Sequence, residues 1–286
     1  MRLSAESTAV VLDSTADLPR PEERHPNWRL VPLAVRFGDD LFRDHVDISA
    51  DEFYERLRAG ESAATSQPTS GEFAEAFEEL ADFERVFCVV VSAKVSGTYE
   101  AALRAAKETD GRVRVIDSAS ASAGEVVLAD AIQRRVERGT DDEEIDALVA
   151  RFQRETGVVF TVETLDYLVR GGRIGKAAGL AGNILSVKPI LTIRGGEVQP
   201  VKRVRGAAKA FAEFEAGLRA GTDDCPGWHL AVAHADAPDG AQRIVAMAEA
   251  VRPNASIDLL TNLGPVVGAH AGPGTLGLFW FRDADT

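Results

Sequence analysis

The sequence predicts an α/β fold: a wound parallel-sheet domain with helices on both faces, followed by a smaller α+β domain. Three unbroken apolar runs in the first half, "TAVVLD", "RVFCVVV" and "RVRVID", are rich in β-branched residues and close on small polar side chains. That is the composition of parallel strands buried on both faces. Segments of helical periodicity separate and follow these runs, and in the second half short strands and helices alternate around a Gly-Gly hairpin signal. Such an order belongs to a parallel sheet joined to a mixed α+β unit.

The first run closes at Asp13, Ser14 and Thr15. Thr69 stands three residues before Glu72, a capping box, so "TSGEFAEAFEEL" is expected to be a helix that buries Phe73, Phe77 and Leu80. The second run closes at Ser92 and Ser96, and "GTYEAALRAAKE" then places Tyr99, Leu103 and Ala106 on one stripe. The third closes at Asp117 and Ser118; the helix after it carries Val127, Leu128 and Ile132 inward and stops at Gly139. Ligands of open parallel sheets bind beyond the carboxyl ends of the strands, so these three ends are expected to share one functional edge.

The character changes near Gly157, which places the expected domains at 1–157 and 158–286. "VVFTV" reads as a strand, "TLDYLVRGG" as a short helix and "KAAGLAGNILS" as a helix of small residues. "KPILTI" and "VQPVKRV" pair across Gly195 and Gly196, which tolerate the positive φ of a tight turn. Helix "AAKAFAEFEAGLRAG", strand "HLAVAHA", helix "DGAQRIVAMAEAV", strand "SIDLLT" and a last strand in "LFWF" complete the unit. Neither a repeat nor a long linker interrupts the chain, so the two parts should pack tightly.

At 286 residues and 45% apolar composition the chain can build a large core. Lysine and arginine total 32 against 45 acidic residues, a net −13 that argues against nucleic acid and anionic membrane surfaces. Apolar runs fall well short of the roughly 18 residues of a membrane span, and the N-terminus lacks a signal-peptide pattern. A soluble, cytoplasmic protein without stable membrane insertion is expected. Cys88 lies in an apolar run and Cys225 in a loop, and His229 and His234 fall on opposite faces of one strand. No disulfide, metal or cofactor is expected.

The stretch "GPVVGAHAGPGTLGLFW", residues 264–280, sets one histidine, His270, among glycines. Gly272, Gly274 and Gly277 spell G-x-G-x-x-G, but an aromatic strand follows where a dinucleotide site needs a helix. Gly-Pro-Gly reads instead as a turn of close backbone approach. Ser96, where a strand gives way to a helix, can cap that helix or join its free N–H groups in holding an anion. Thr65 and Ser66 add hydroxyls before another helix start, in a stretch whose turn chemistry Pro68 also explains. A Ser/His acyl-transfer or esterase enzyme using Ser96 and His270 is the alternative class, without the G-x-S-x-G elbow. "VRGGRIGKAAG" fails as a phosphate loop, since Arg170 stands five before Gly175 and Ala177 follows Lys176.

Taken together, "VVLDSTADLP", "TSQPTSGEF", "SAKVSGTYEAA", "VIDSASASAGE", "LDYLVRGGRIGKAAGLAGNILSVKPIL" and the 264–280 stretch resemble the DegV family over nearly the whole chain. The resemblance implies a non-catalytic fatty acid-binding protein, in some members the acyl-carrying subunit of a bacterial fatty acid kinase. It implies a ligand between the two domains, with its carboxylate held by the threonine of TSQP, the serine of SGTY and the C-terminal histidine. These fall on Thr65, Ser96 and His270, with Ser66, Gly97, Thr98 and Gly272 in support. Arg173, the arginine of GGRI, is implied in docking the kinase or its phosphates. Thr69 stands where the family commonly has serine, and "SAKVSG" departs in its first part, neither removing a named hydroxyl. The small and apolar residues of "AAGLAGNILSVKPIL" are the expected lining of the acyl tunnel.

Overall fold

The computed structural model describes residues 2–180 and 187–283. Strand β1 (Thr8–Asp13) runs through a 3-10 turn at Ser14–Ala16 and helix α1 (Pro21–Arg24) into β2 (Trp28–Val31). A hairpin of β3 (Ala34–Phe37) and β4 (Asp40–Arg43) follows, then α2 (Ala50–Arg58) and β5 (Ala63–Ser66). Next come α3 (Ser70–Glu78), β6 (Arg85–Val90), α4 (Thr98–Ala106), β7 (Val113–Asp117), α5 (Ala123–Arg138) and α6 (Asp142–Glu155). Strand β8 (Gly157–Thr161) and α7 (Asp166–Arg170) lead to the hairpin of β9 (Val187–Arg194) and β10 (Glu197–Arg205). The chain closes with α8 (Ala207–Gly221), β11 (Trp228–His234), α9 (Pro238–Val251), β12 (Ser256–Asn262), α10 (Pro265–Ala271) and β13 (Leu276–Arg282).

The three expected strands lie together and parallel in a sheet of order β2-β1-β6-β7. A six-stranded mixed sheet runs β10-β9-β8-β13-β11-β12, and β4-β3-β5 form a small antiparallel sheet that the sequence reading lacked. The predicted mixed α/β architecture with its parallel sheet is therefore the one observed.

Burial orders these pieces into layers. Phe73 and Phe77 of α3 and Ala101 and Ala105 of α4 pack on one face of the parallel sheet with Val11 and Cys88. On its other face Leu12 and Phe87 meet Val127 and Ile132 of α5, and the same apolar core runs on to Ala231 and Phe279 of the mixed sheet. Phe214, Leu218 and Ile244 of α8 and α9 cover that sheet's far side. Helix α5 is the middle layer, and only Arg134, Glu137 and Arg138 of its sixteen residues escape burial.

Two expectations are corrected here. In α4 the deeply buried residues are Thr98, Ala101, Ala102 and Ala105, while Tyr99, Leu103 and Ala106 are only half-buried. Small side chains let this helix sit close against its neighbours, and the larger ones are displaced to the rim. The helix expected over "KAAGLAGNILS" begins as a 3-10 segment, Gly175–Leu180, and residues 181–186 lie outside the described residues.

Candidate functional site

The carboxyl ends of β1, β6 and β7 face a cavity of about 350 Å³. Thr15 follows the first strand, Val91 and Ser96 the second and Ser120 to Ser122 the third, and all line it. Phe160, Ile193 and Phe279 of the mixed sheet form an apolar wall, with Leu263 and Val266 near α10. Pockets that hold small organic ligands begin near this size.

One end of the cavity is polar. Thr65 belongs to β5, not to the turn the sequence suggested, because pairing with Val35 of β3 extends the backbone there. His270 belongs to α10, a seven-residue helix opened by Pro265. The two meet, with Thr65 Oγ1 at 2.8 Å from His270 Nε2. Ser96 lies on the same lining, its Oγ 2.8 Å from Thr98 Oγ1 and accepting the Thr98 N–H at 3.3 Å. Arg173 donates Nε to Val95 O at 2.9 Å and Nη1 to Gly171 O at 2.6 Å. It is exposed and also lines the cavity, so its guanidinium stands where the cavity meets the surface.

The supporting residues divide. Ser66 lines the cavity beside Gln67, whose amide donates to Gly97 O at 3.1 Å. Gly97 and Thr98 form the start of α4 behind Ser96, and Gly272 ends α10 at φ +77. The run of glycines around His270 now has a steric reason. A Cβ on Gly264, Gly268 or Gly272 would fall within 2.6 Å of His45, Tyr54 or Tyr167 respectively, so glycine at every fourth position lets α10 lie against its neighbours.

Burial, with a smaller push from the Arg173 charge, lowers the His270 imidazole to about 4. The ring is neutral near pH 7. Its Nδ1 has no hydrogen-bond partner and rests on Gly171, where a Cβ would sit 2.1 Å away. Gly171 has φ −73, which alanine adopts freely, so Gly171→Ala strains no backbone and only displaces the ring. This variant is expected to fold normally and break the contact with Thr65; on the carboxylate role that the family resemblance implies for the pair, it should weaken fatty acid binding about tenfold, one charge-assisted hydrogen bond's worth. Calorimetric titration beside a thermal melt checks both parts.

Beneath the site lies a group of buried acids, of which the sequence reading named only Asp13, as the end of the first strand. Thr15 Oγ1 is 2.5 Å from Asp13 Oδ1 and 2.9 Å from Glu125 Oε1. One hydroxyl proton cannot serve both carboxyls, so Thr15 donates to Asp13 and a protonated Glu125 donates to Thr15. Burial first, and the Asp13 charge next, hold Glu125 well above its ordinary range. Burial likewise raises Asp13 to about 6 and Asp44 to about 7. His45, which burial alone would lower, is raised by Asp17 and Asp44.

These raised groups bind protons in the folded state that the unfolded chain has released. Their contribution is complete at low pH and is lost as pH rises through about 6 and 7. His270 and His234 act in the opposite sense, being lowered by burial. The melting temperature is expected to fall as pH rises from about 5.5 to about 8. Glu125→Gln keeps a donor to Thr15 without the ionisation, so its advantage over the parent should widen from the acidic to the alkaline end. The two should diverge by up to roughly 1.4 kcal/mol per pH unit. Melts across that range test this.

The comparisons with known proteins bear on the same arrangement. A family model described as an uncharacterised protein of the DegV family matches residues 7–283. This chain belongs to the DegV family. A DegV domain-containing protein of Streptomyces coelicolor is 39% identical over 280 residues, 94% of this chain and 96% of the relative. A DegV family protein from Thermus thermophilus, described by its fatty acid binding, superimposes with a TM-score of 0.90 at 32% identity, covering 97% of this chain and 100% of its own. A stearic acid-binding protein from Eubacterium ventriosum superimposes with a TM-score of 0.86 at 28% identity, covering 96% and 98%. Among the described residues no group of three or more His, Cys, Asp or Glu side chains is placed to hold a metal ion, and no helix is long and apolar enough to cross a membrane.

Proposed function

We propose that this DegV protein holds one long-chain fatty acid, its tail in the cavity and its carboxylate at Thr65, Ser96 and His270. It presents the carboxyl group to a separate fatty acid kinase, which forms the acyl phosphate. One observation carries the reading: a hydroxyl–imidazole pair at one end of an otherwise mainly apolar cavity. The parts have different tasks. About fifteen methylenes at ~0.8 kcal/mol each supply roughly 12 kcal/mol gross, before binding costs, against about 1–2 kcal/mol from the start of α4 at the head group. Affinity comes from the tail and orientation from the head. Arg173, at the cavity mouth, is the residue that meets the kinase.

An acyl-transfer enzyme would need Ser96 activated by His270. Instead Ser96 Oγ faces Thr98, and His270 Nε2 faces Thr65. The unpartnered Nδ1 lacks the orienting acid of a triad, and an imidazole at about 4 is a weak base near neutrality. This favours a carrier. Native mass spectrometry of the purified protein, followed by extraction of bound lipid, is expected to find one fatty acid per chain. A protein that is empty and also refuses added palmitate would overturn the proposal, as would turnover of a chromogenic acyl ester that vanishes in Ser96→Ala.

A further inference from the structure

The wall of the main cavity holds a second set of polar atoms, around the start of α5, that no group in the protein satisfies. Ser120 and Ser122 both line the cavity and are only 2% and 4% exposed. Ser122 stands at the N-cap of α5, where a serine ordinarily turns its hydroxyl onto the N–H groups of the first turn. It makes no such bond, and its buried Oγ has no partner among the described residues. The backbone even disfavours a side chain there, since φ +56 and ψ −138 suit glycine and strain any other residue. Ser120 engages Ser118 through its N–H and carbonyl, while its Oγ makes no hydrogen bond among the described residues. Gly124 leaves room for that hydroxyl: a Cβ there would fall 2.1 Å from Ser120 Oγ and 3.2 Å from Phe279, a residue of the apolar wall. Within the first turn of α5, Glu125 bonds Thr15 through Oε1 and leaves Oε2 buried and unpartnered.

Buried polar atoms without partners are costly unless something bonds to them, and here two hydroxyls and a carboxyl oxygen stand open together beside an apolar cavity. A serine hydroxyl both donates and accepts, and Glu125 Oε2 accepts, so the complementary group must itself do both. An alcohol does; a ketone only accepts, and a double bond offers neither. We infer that the Ser120–Ser122 corner is a subsite for a hydroxyl carried on the acyl chain, which makes hydroxylated long-chain fatty acids a preferred ligand class. The head-group residues Thr65, Ser96 and His270 lie on other elements, so this recognition adds to theirs and does not replace it. The inference rests on the acyl reading of the main cavity.

The test titrates the full chain with stearate and with hydroxystearates that carry the hydroxyl near the carboxyl group, at mid-chain or near the methyl end. One of these isomers is expected to bind about fivefold to tenfold more tightly than stearate, the gain of one hydrogen bond to atoms otherwise left open. Ser120→Ala and Ser122→Ala, with their melting temperatures measured alongside, should each bring that ratio down toward one. Thr65→Ala should weaken both acids and keep the ratio. Stearate binding as tightly as every isomer would assign the open atoms to ordered water and overturn the inference while the acyl reading stands. A ratio that survives both serine variants would overturn it as well. So would an equal loss for stearate and the favoured isomer in Ser122→Ala, which would assign that hydroxyl to the head group. Failure of stearate and the hydroxy acids alike to bind would remove the acyl reading and the inference together.

Discussion

His270→Ala is expected to cut acyl phosphorylation by about a hundredfold while weakening fatty acid binding only about tenfold to thirtyfold. The inequality follows from the division of labour in the cavity. On the proposed reading, removing the imidazole costs one hydrogen bond to the bound carboxylate and leaves the methylenes that dominate affinity untouched. Thr65 also loses its 2.8 Å partner, so the carboxylate is no longer held in one place. A displacement on the order of 1 Å at a reacting group is enough for a hundredfold loss of rate. The measurement is a kinase assay with acyl-loaded parent and variant beside a binding titration. An unchanged rate would sink the carboxylate assignment, and an equal loss in both would mean that the head group, not the tail, governs affinity.

Ala121→Phe should empty the protein. Ala121 lies just past β7, is only half-buried and lines the cavity, so a ring there grows into the void and not into packed core. Displacing about four methylenes at ~0.8 kcal/mol each costs about 3 kcal/mol, or roughly a hundredfold in affinity. The fold should survive with its melting temperature little changed. Lipid extraction from parent and variant decides the matter: the variant should carry no long-chain acid or a shorter one. An unaltered complement of bound lipid would place the acyl chain elsewhere.

How much of this was legible in the sequence differs by element. The three parallel strands and helices α3 and α5 were readable because unbroken β-branched runs and a capping box leave local marks. Strand β5 was not: four residues, two of them hydroxylated, run straight into Gln67 and Pro68 and look like a turn until β3 pairs with them. Helix α10 was hidden by its own composition, since seven residues containing Gly268 and opened by Pro265 carry no periodicity, and contact with α2 and α7 stabilises it. The alanine face of α4 was misread because alanine is silent in an apolar pattern. Thr65, Ser96 and His270 could be linked only through the family likeness, for nothing in one chain says that residues so far apart in sequence meet. Of the acids under the site, only Asp13 showed in the sequence, and only as the end of the first strand. Glu125 sits at a helical position where a solvated carboxylate is the ordinary expectation, and its burial depends on the two sheets closing over α5.

That helix has a mechanical consequence. Near its first turn Glu125 is tied through Thr15 to the end of β1, and near its last Arg135 holds Asp283, just past β13, at 2.7 Å. Both sheets are thus keyed to a single shaft by polar contacts at opposite ends, with apolar packing between them. Swinging one sheet away from the other would strip α5 of cover and expose a buried acid and a buried ion pair together, so opening at this joint is costly.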